Sequence, residues 1–532
     1  MLDRSSHRVE NQNPVQWQAS VHDQSQFEIV IDYQVPQVRS EQGSGRREQK
    51  SEMSYWVDFY FFTPKNLGLN SQVYPRESFY QDLTNLVRIH TPKKDLIHAA
   101  ILPTLENLLV LDQSQPFFPE QTHRAIQEVK IFANYVNLRL KTWFNHKPAL
   151  SDDQWVIQGS EIIELVEHFR MRYLKPSLQS IALDSDLASA LLWVDEYLSN
   201  RLEVSFSKIS LSQVSSPRSS FARRFLSNEY QHRAERGYVT PGRAATDRNL
   251  EQFYHRHGML KKFVSESLYL KTQEVKRDRL YRNMMAGFGA ALAGVWAEVA
   301  KMDSQLARGA RDFGVRFMVL ASVGVLIYVF KDRIKEISKE YFNEKLKGFL
   351  PDYEVLLTYP FFDRLGKKQD LRVGKYQETV RYLSSESLPE DIRFVRDLTQ
   401  AEDLFGENQE NIIHYSKRVA LNPTVSSQME TELLSLKDIF RFNMGGFLQY
   451  LDNPEKSLAI YDFEEGAIQI RAPKVYYFNL FLRMSAWDQG LDQPRKKTTQ
   501  IEHLRLVLNK SGIVRLDAVF PRGEHWYEDE AE

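Results

Sequence analysis

The chain of 532 residues contains no cysteine. That absence excludes disulfides, thiolate nucleophiles, zinc–thiolate sites and iron–sulfur clusters. Net charge is nearly absent too: 69 Lys and Arg stand against 70 Asp and Glu, a formal charge of −1. A balance this even argues against a general nucleic-acid binder, although it can hide local asymmetry. There is no Gly-rich phosphate loop ending in Lys-Ser/Thr, no dinucleotide fingerprint after a strand, no HExxH and no nucleophile-elbow pentapeptide. The reading therefore leans away from catalysis and calls for no cofactor. Residues 1–26 are polar and carry no apolar stretch of the signal-peptide kind, so no cleaved leader is expected.

Long apolar runs are scarce as well. The two longest uncharged stretches are Asn283–Ala297 and Phe317–Phe330, of 15 and 14 residues, where a full span needs ~20. They stand in tandem, with Arg282, Arg316 and Lys331 able to reach headgroups and Trp296 and Tyr328 suited to an interface. The pair is read as a transmembrane helical hairpin; its alternative is a helical hairpin buried in a soluble core. Cations flanking the outer ends place both termini on the cytoplasmic side. The first run is rich in small residues, and Gly287, Ala290, Ala291 and Gly294 line one side, so they are expected to pack against another helix of this chain or of a second copy.

What is present elsewhere is ordinary folded protein, with 42% hydrophobic and 26% charged residues. Phe27–Tyr33 alternates, Met53–Phe62 is a very aromatic strand, and the two read as a long-looped hairpin. Helical spacing covers Ser78–Ile89, Asp95–Leu111, Pro119–Phe144, Gln158–Tyr173, Leu178–Leu202 and Leu250–Tyr281. Near the C-terminus, turn residues at Glu464–Gly466 and Asn509–Gly512 separate strand-like runs into a five-stranded antiparallel meander. The expected class is α+β: a helical domain with an N-terminal β-hairpin, a central transmembrane helical hairpin, and a C-terminal antiparallel β meander. Its parts are a loose start (1–26), β-hairpin plus helical domain (27–216), Arg-rich segment (217–282), apolar hairpin (283–330), a helical and partly acidic region (331–455) and the meander (456–532).

Four constellations carry chemical potential. Glu161, Glu164 and His168 share a helix face beside Glu167, and Glu410 and His414 repeat the spacing; carboxylate–imidazole faces hold divalent metals, but a solvated helix face is the commoner outcome. His255 and His257 flank Arg256, yet i, i+2 residues diverge on a helix. The fourth is Pro217–Arg282, with 15 Arg/Lys against 7 Asp/Glu. Its Arg218, Arg223, Arg224, Arg233, Arg236 and Arg243 include no lysine, and guanidinium forks suit phosphate or anionic lipid. Pairing with the acidic stretch Ser385–Asn411 is the rival reading, and sparse aromatics disfavour nucleic acid. The function expected is a membrane-anchored, cytoplasm-facing scaffold or sensor with lipids, a protein partner or a second copy as partners. The alternatives are a membrane-surface enzyme such as a metal-assisted hydrolase and a soluble interaction protein.

Overall fold

The computed structural model describes residues 15–34, 52–91, 102–110, 119–145, 151–174, 185–212, 216–240, 242, 245–275, 351–362, 368–400, 410–422, 435–489 and 494–519, with eight isolated positions between 287 and 333. Its strands are β1 (Val15–Val21), β2 (Gln26–Gln34), β3 (Glu52–Pro64), β4 (Leu83–Ile89), β5 (Lys271–Glu274), β6 (Tyr353–Phe362), β7 (Lys368–Leu383), β8 (Glu410–Leu421), β9 (Ser435–Asn443), β10 (Glu455–Asp462), β11 (Gly466–Pro473), β12 (Tyr476–Gln489), β13 (Pro494–Asn509) and β14 (Gly512–Ala518). The helices are α1 (Arg76–Asp82), α2 (Pro103–Val110), α3 (Pro119–Asn145), α4 (Asp152–Tyr173), α5 (Ser185–Ser212), α6 (Pro217–Arg236), α7 (Asp247–Ser265), α8 (Glu390–Gln400) and α9 (Gly445–Leu448).

Two antiparallel sheets face each other. The larger runs β14-β13-β12-β3-β8-β7-β6-β5 and the smaller β1-β2-β9-β4; β10 and β11 form a separate two-stranded sheet. Strand side chains alternate between faces. In β3, Tyr55, Val57, Phe59 and Phe61 therefore point into the sandwich, where Phe59 stacks on Phe440 of β9 at 4.2 Å and Tyr33 of β2 meets Tyr55 at 4.6 Å. The other row of β3 is covered as well: Tyr60 and Phe62 lie in a second core beneath Ile392 and Val395 of α8. Coverage of both faces explains why this strand is apolar almost throughout.

Between β4 and β5 the chain leaves the sandwich to build a helical unit, α2–α7, around its own core. Trp143 and Trp155 stack there at 4.1 Å, as do Phe132 and Phe169 at 5.0 Å. The chain returns through Leu268 and Leu270, which join the sandwich core; Leu270 N donates to Val87 O of β4 at 2.9 Å.

Several expectations are corrected. No helix among the described residues is long and apolar enough to cross a membrane, so the central transmembrane hairpin, the membrane location and the orientation drawn from it are not supported. Both apolar stretches fall short of a span in their own length. Most of Asn283–Phe330 lies outside the described residues; Gly287, Ala290, Ala291 and Gly294 are helical and exposed. β2 and β3 are not a hairpin but belong to opposite sheets. Leu83–Ile89 is a strand, because Val87 and Ile89 fit the buried row beside β9 better than a helix stripe. The region 331–455, expected to be helical, supplies β6, β7, β8 and β9. The C-terminal meander is split: β12–β14 close one end of the large sheet, while β10–β11 stand apart.

Candidate anion site

The structure disperses the residues that the sequence singles out. Glu164, Glu167 and His168 are exposed on α4, and Glu161 lies 3.8 Å from Arg139. Glu410 and His414 sit on strand β8: Glu410 pairs with Arg396 at 2.7 Å and His414 with Asp58 at 3.1 Å. His255 is exposed, while His257 points elsewhere from α7. No group of three or more His, Asp or Glu capable of holding a metal occurs among the described residues.

The Arg-rich segment is a helix and not a loop. Ser216 accepts from Ser219 N in a capping box, Pro217 opens α6, and Gly237 closes it with φ 69° in the left-handed region. Its arginines divide by burial. Arg218 pairs with Asp152 at 2.5 Å and lies over the Trp155 ring. Arg233 is buried, donating to Asn200 Oδ1 at 2.7 Å, Ser199 Oγ at 3.0 Å and Val239 O at 2.7 Å. Arg236 donates to Leu174 O at 3.1 Å. These three brace the helical unit. Arg223 and Arg224 are exposed, and Arg243 lies outside the described residues.

A different set of cations converges. On the outer face of the small sheet, β2, β9 and β4 place Asp32, Lys437 and Arg88 in one cross-strand row. Their sequence neighbours Ile31, Leu436 and Val87 fill the sandwich core, so alternation turns the charged row outward. The helical unit brings the rest. α3 carries Asn137 and Lys141 one turn apart, and α7 carries His257 and Lys261 one turn apart. α3 is fixed against α7 by Asn134 Nδ2, which donates to Val264 O at 2.8 Å, and by Lys130 Nζ on Glu266 at 2.7 Å. From α5, Arg201 Nε donates to Asn137 Oδ1 at 2.8 Å.

The electrostatics of this cleft are one-sided. Lys141 is solvent-exposed, yet its pKa is held below the ordinary lysine value, first by the surrounding protein and then by the charges of Arg201, Arg88, Lys261 and Lys437. Burial, followed by Arg201 and Lys261, lowers His257 as well. Arg88 Nε and His257 Nδ1 are both buried and have no hydrogen-bond partner. Asp32 is shared: Lys437 reaches it at 3.2 Å and His90 at 2.9 Å, and together they hold its carboxyl below the usual range against the opposing effect of burial. Lys141 and the four cations that act on it thus lie within electrostatic reach of one another, with Asp32 as the carboxylate beside them and Arg88 Nε and His257 Nδ1 left without a partner. Like charges so gathered destabilise the empty cleft, and a multiply charged anion reverses the sign.

The sandwich interior holds ionisable groups too, but these are matched. Lys417 Nζ contacts Asp438 at 2.8 Å, and Tyr33 OH donates to the same carboxylate at 3.3 Å. Glu378, raised by burial, accepts from Tyr415 OH at 2.7 Å and from Asn85. On the outer face of the large sheet, Arg483 bridges Asp58 at 2.9 Å and Asp391 of α8 at 3.1 Å, and Asp58 is held down to about 2 against burial by His414 and Arg483. Such contacts lock elements together.

Comparison of the chain with protein-family models, curated proteins and solved structures finds no match.

Proposed function

We propose that the protein is a non-catalytic binding protein whose cleft, between the helical unit and the small sheet, takes a compact phosphate-rich anion. The observation that supports this reading is the convergence of Arg88, Lys141, Arg201, Lys261 and Lys437, with Arg88 Nε and His257 Nδ1 unpartnered. Guanidinium and ammonium groups bind phosphate oxygens through short charge-assisted hydrogen bonds. Four cations act on the single Lys141 ammonium, which concentrates charge at one place. That suits a short phosphate chain better than the extended backbone of a nucleic acid, whose binding surfaces follow a track and add stacking aromatics. Because the cations come from two parts of the fold, the ligand ties them together, as a sensor or scaffold requires. The marked residues do not supply a metal site for the hydrolase alternative: Glu161, Glu164 and His168 lie on α4, His255 on α7, and Glu410 and His414 on β8, with no metal-holding group of three among the described residues.

The test is calorimetric titration of the full chain with inorganic tripolyphosphate. Binding is expected, weakening steeply with added salt, and Arg88→Gln and Lys141→Gln are each expected to weaken it about tenfold or more. No binding at low salt, or affinity unchanged from wild type in both variants, overturns the proposal. Tighter binding of a single-stranded oligonucleotide than of tripolyphosphate overturns the choice of ligand class.

A further inference from the structure

The hairpin β10–β11 is a sheet of two strands with no third strand beside it. Its register sets Leu458 opposite Ile470 and Ile460 opposite Ile468, so one face of the ribbon is aliphatic. That face is open: Leu458, Ile460 and Ile470 are 39%, 42% and 38% exposed. At the turn Tyr461 is 78% exposed and Phe463 96%. A two-stranded ribbon is marginal in water unless its apolar face packs on something, and exposed apolar clusters of this kind mark contact surfaces.

Charge on the same ribbon is polarised along its length. Glu464 and Glu465 stand at the tip; at the root Lys474 pairs with Asp452 and Arg471 lies near Glu455 on the opposite face, so the positive charge of the aliphatic face is Lys456. Lys456 shares the aliphatic face with Leu458 and Ile460. Asp462 is engaged locally, accepting from Glu464 N at 2.8 Å and Glu465 N at 2.9 Å. The acidic tip side chains are exposed, and Arg471 is 84% exposed although it lies 3.8 Å from Glu455.

The geometry points to a second copy of this chain as the occupant of that face. Two ribbons laid face to face about a twofold axis run antiparallel, bury Leu458, Ile460, Ile468 and Ile470 of both copies, and bring each acidic tip to the other's basic root. A surface that is apolar in the middle and oppositely charged at its ends is self-complementary under a twofold, as an isologous contact must be. Four part-exposed aliphatic side chains per copy fall short of the roughly 1,200 Å² buried in a stable interface, so the dimer is a weak, concentration-dependent one.

Sedimentation velocity on the full chain, from about 1 to 100 µM, tests this. The expected result is a monomer–dimer equilibrium within that range, abolished by Ile460→Lys. Charge exchange separates pairing across the twofold from mere stickiness. Glu464→Lys/Glu465→Lys and Lys456→Glu are each expected to weaken the dimer at least tenfold, and the threefold variant to restore it. The ribbon lies outside the three buried cores, so unchanged circular dichroism is expected throughout. A wild-type chain that stays monomeric across the range overturns the inference. So does dimerisation unchanged in Ile460→Lys, or a threefold variant no better than either of its parents.

Discussion

Replacing Lys141 by glutamine is expected to act with opposite signs on the empty and the filled cleft. Four cations, Arg201, Arg88, Lys261 and Lys437, act on this ammonium. Two unit charges 4 Å apart cost about 1 kcal/mol in bulk water, and the cost falls with separation. Lys141 is exposed, so solvent screens each term, and in dilute buffer the four together come to about 1 kcal/mol. Lys141→Gln relieves that repulsion, and the variant is expected to be the more stable protein when no anion is present. Tripolyphosphate at a hundredfold excess over its dissociation constant adds about 2.7 kcal/mol to the wild type. Loss of one charge-assisted hydrogen bond removes about 1.5–3 kcal/mol of that binding, a roughly tenfold to hundredfold weaker affinity. The two stability orders therefore cross. Urea denaturation in about 20 mM salt, with and without tripolyphosphate, reads both. A variant less stable than wild type in both conditions shows that Lys141 is a structural residue. A variant stabilised by the anion as much as wild type shows that the cleft is not where the anion binds.

Three further outcomes follow from the packing. Arg170 holds Asp195 at 2.7 Å and Glu229 at 2.8 Å, both carboxylates buried; Arg170→Met removes the guanidinium they share and leaves Asp195 to His232 and Tyr238, and urea denaturation is expected to show a loss of about 3–5 kcal/mol. Gly159 on α4 has no room for a methyl group, since an added Cβ lies 2.6 Å from the Trp143 ring; Gly159→Ala is expected to lower stability by about 1–3 kcal/mol, although alanine is the better helix former. His503, stacked on Phe481 at 4.2 Å, is pushed down to about 3, first by burial and then by Arg505. A histidine held neutral in the fold contributes stability that is complete above its unfolded pKa of about 6.5 and is lost as pH falls toward 3; in His503→Gln the decline in stability between about pH 6.5 and pH 4 is expected to flatten.

Legibility of the fold differed from element to element for physical reasons. α3 and α4 are long, amphipathic and bounded by Pro119 and by the Ser151 cap, so spacing alone marks them. Leu83–Ile89 is seven residues long, too short for periodicity to separate a strand from two turns of helix; its partner β9, some 350 residues later, decides. β3 reads as a strand in any context, but the sheet it enters is fixed by β8 and β12, which lie far along the chain. Strand pairing at such separation leaves no local trace beyond alternation, and a hairpin between β2 and β3 satisfies that alternation equally well.

The cleft shows the same limit in its chemistry. The Arg-rich segment attracts notice because its charges are close in sequence, but a helix distributes neighbours around its axis: Arg218 and Arg233 turn inward to Asp152 and Asn200, while Arg223 and Arg224 face solvent. Density along the chain therefore does not become density in space. The cations that act on one another stand at positions 88, 141, 201, 261 and 437, and of these only Lys261 lies in the cation-rich segment. Two of them share one cross-strand row only because β4 and β9 are paired, and the other three face that row only because the helical unit is inserted between β4 and β5. Of the histidines marked in the sequence, His257 lies among these cations, half-buried and with its Nδ1 without a partner. Sequence spacing reports sites built on one element, whereas this one requires three strands and three helices to be in place at once. Lys437 and Arg201 are partly engaged by Asp32 and Asn137, and under the proposed function the repulsion that remains is what a bound anion relieves.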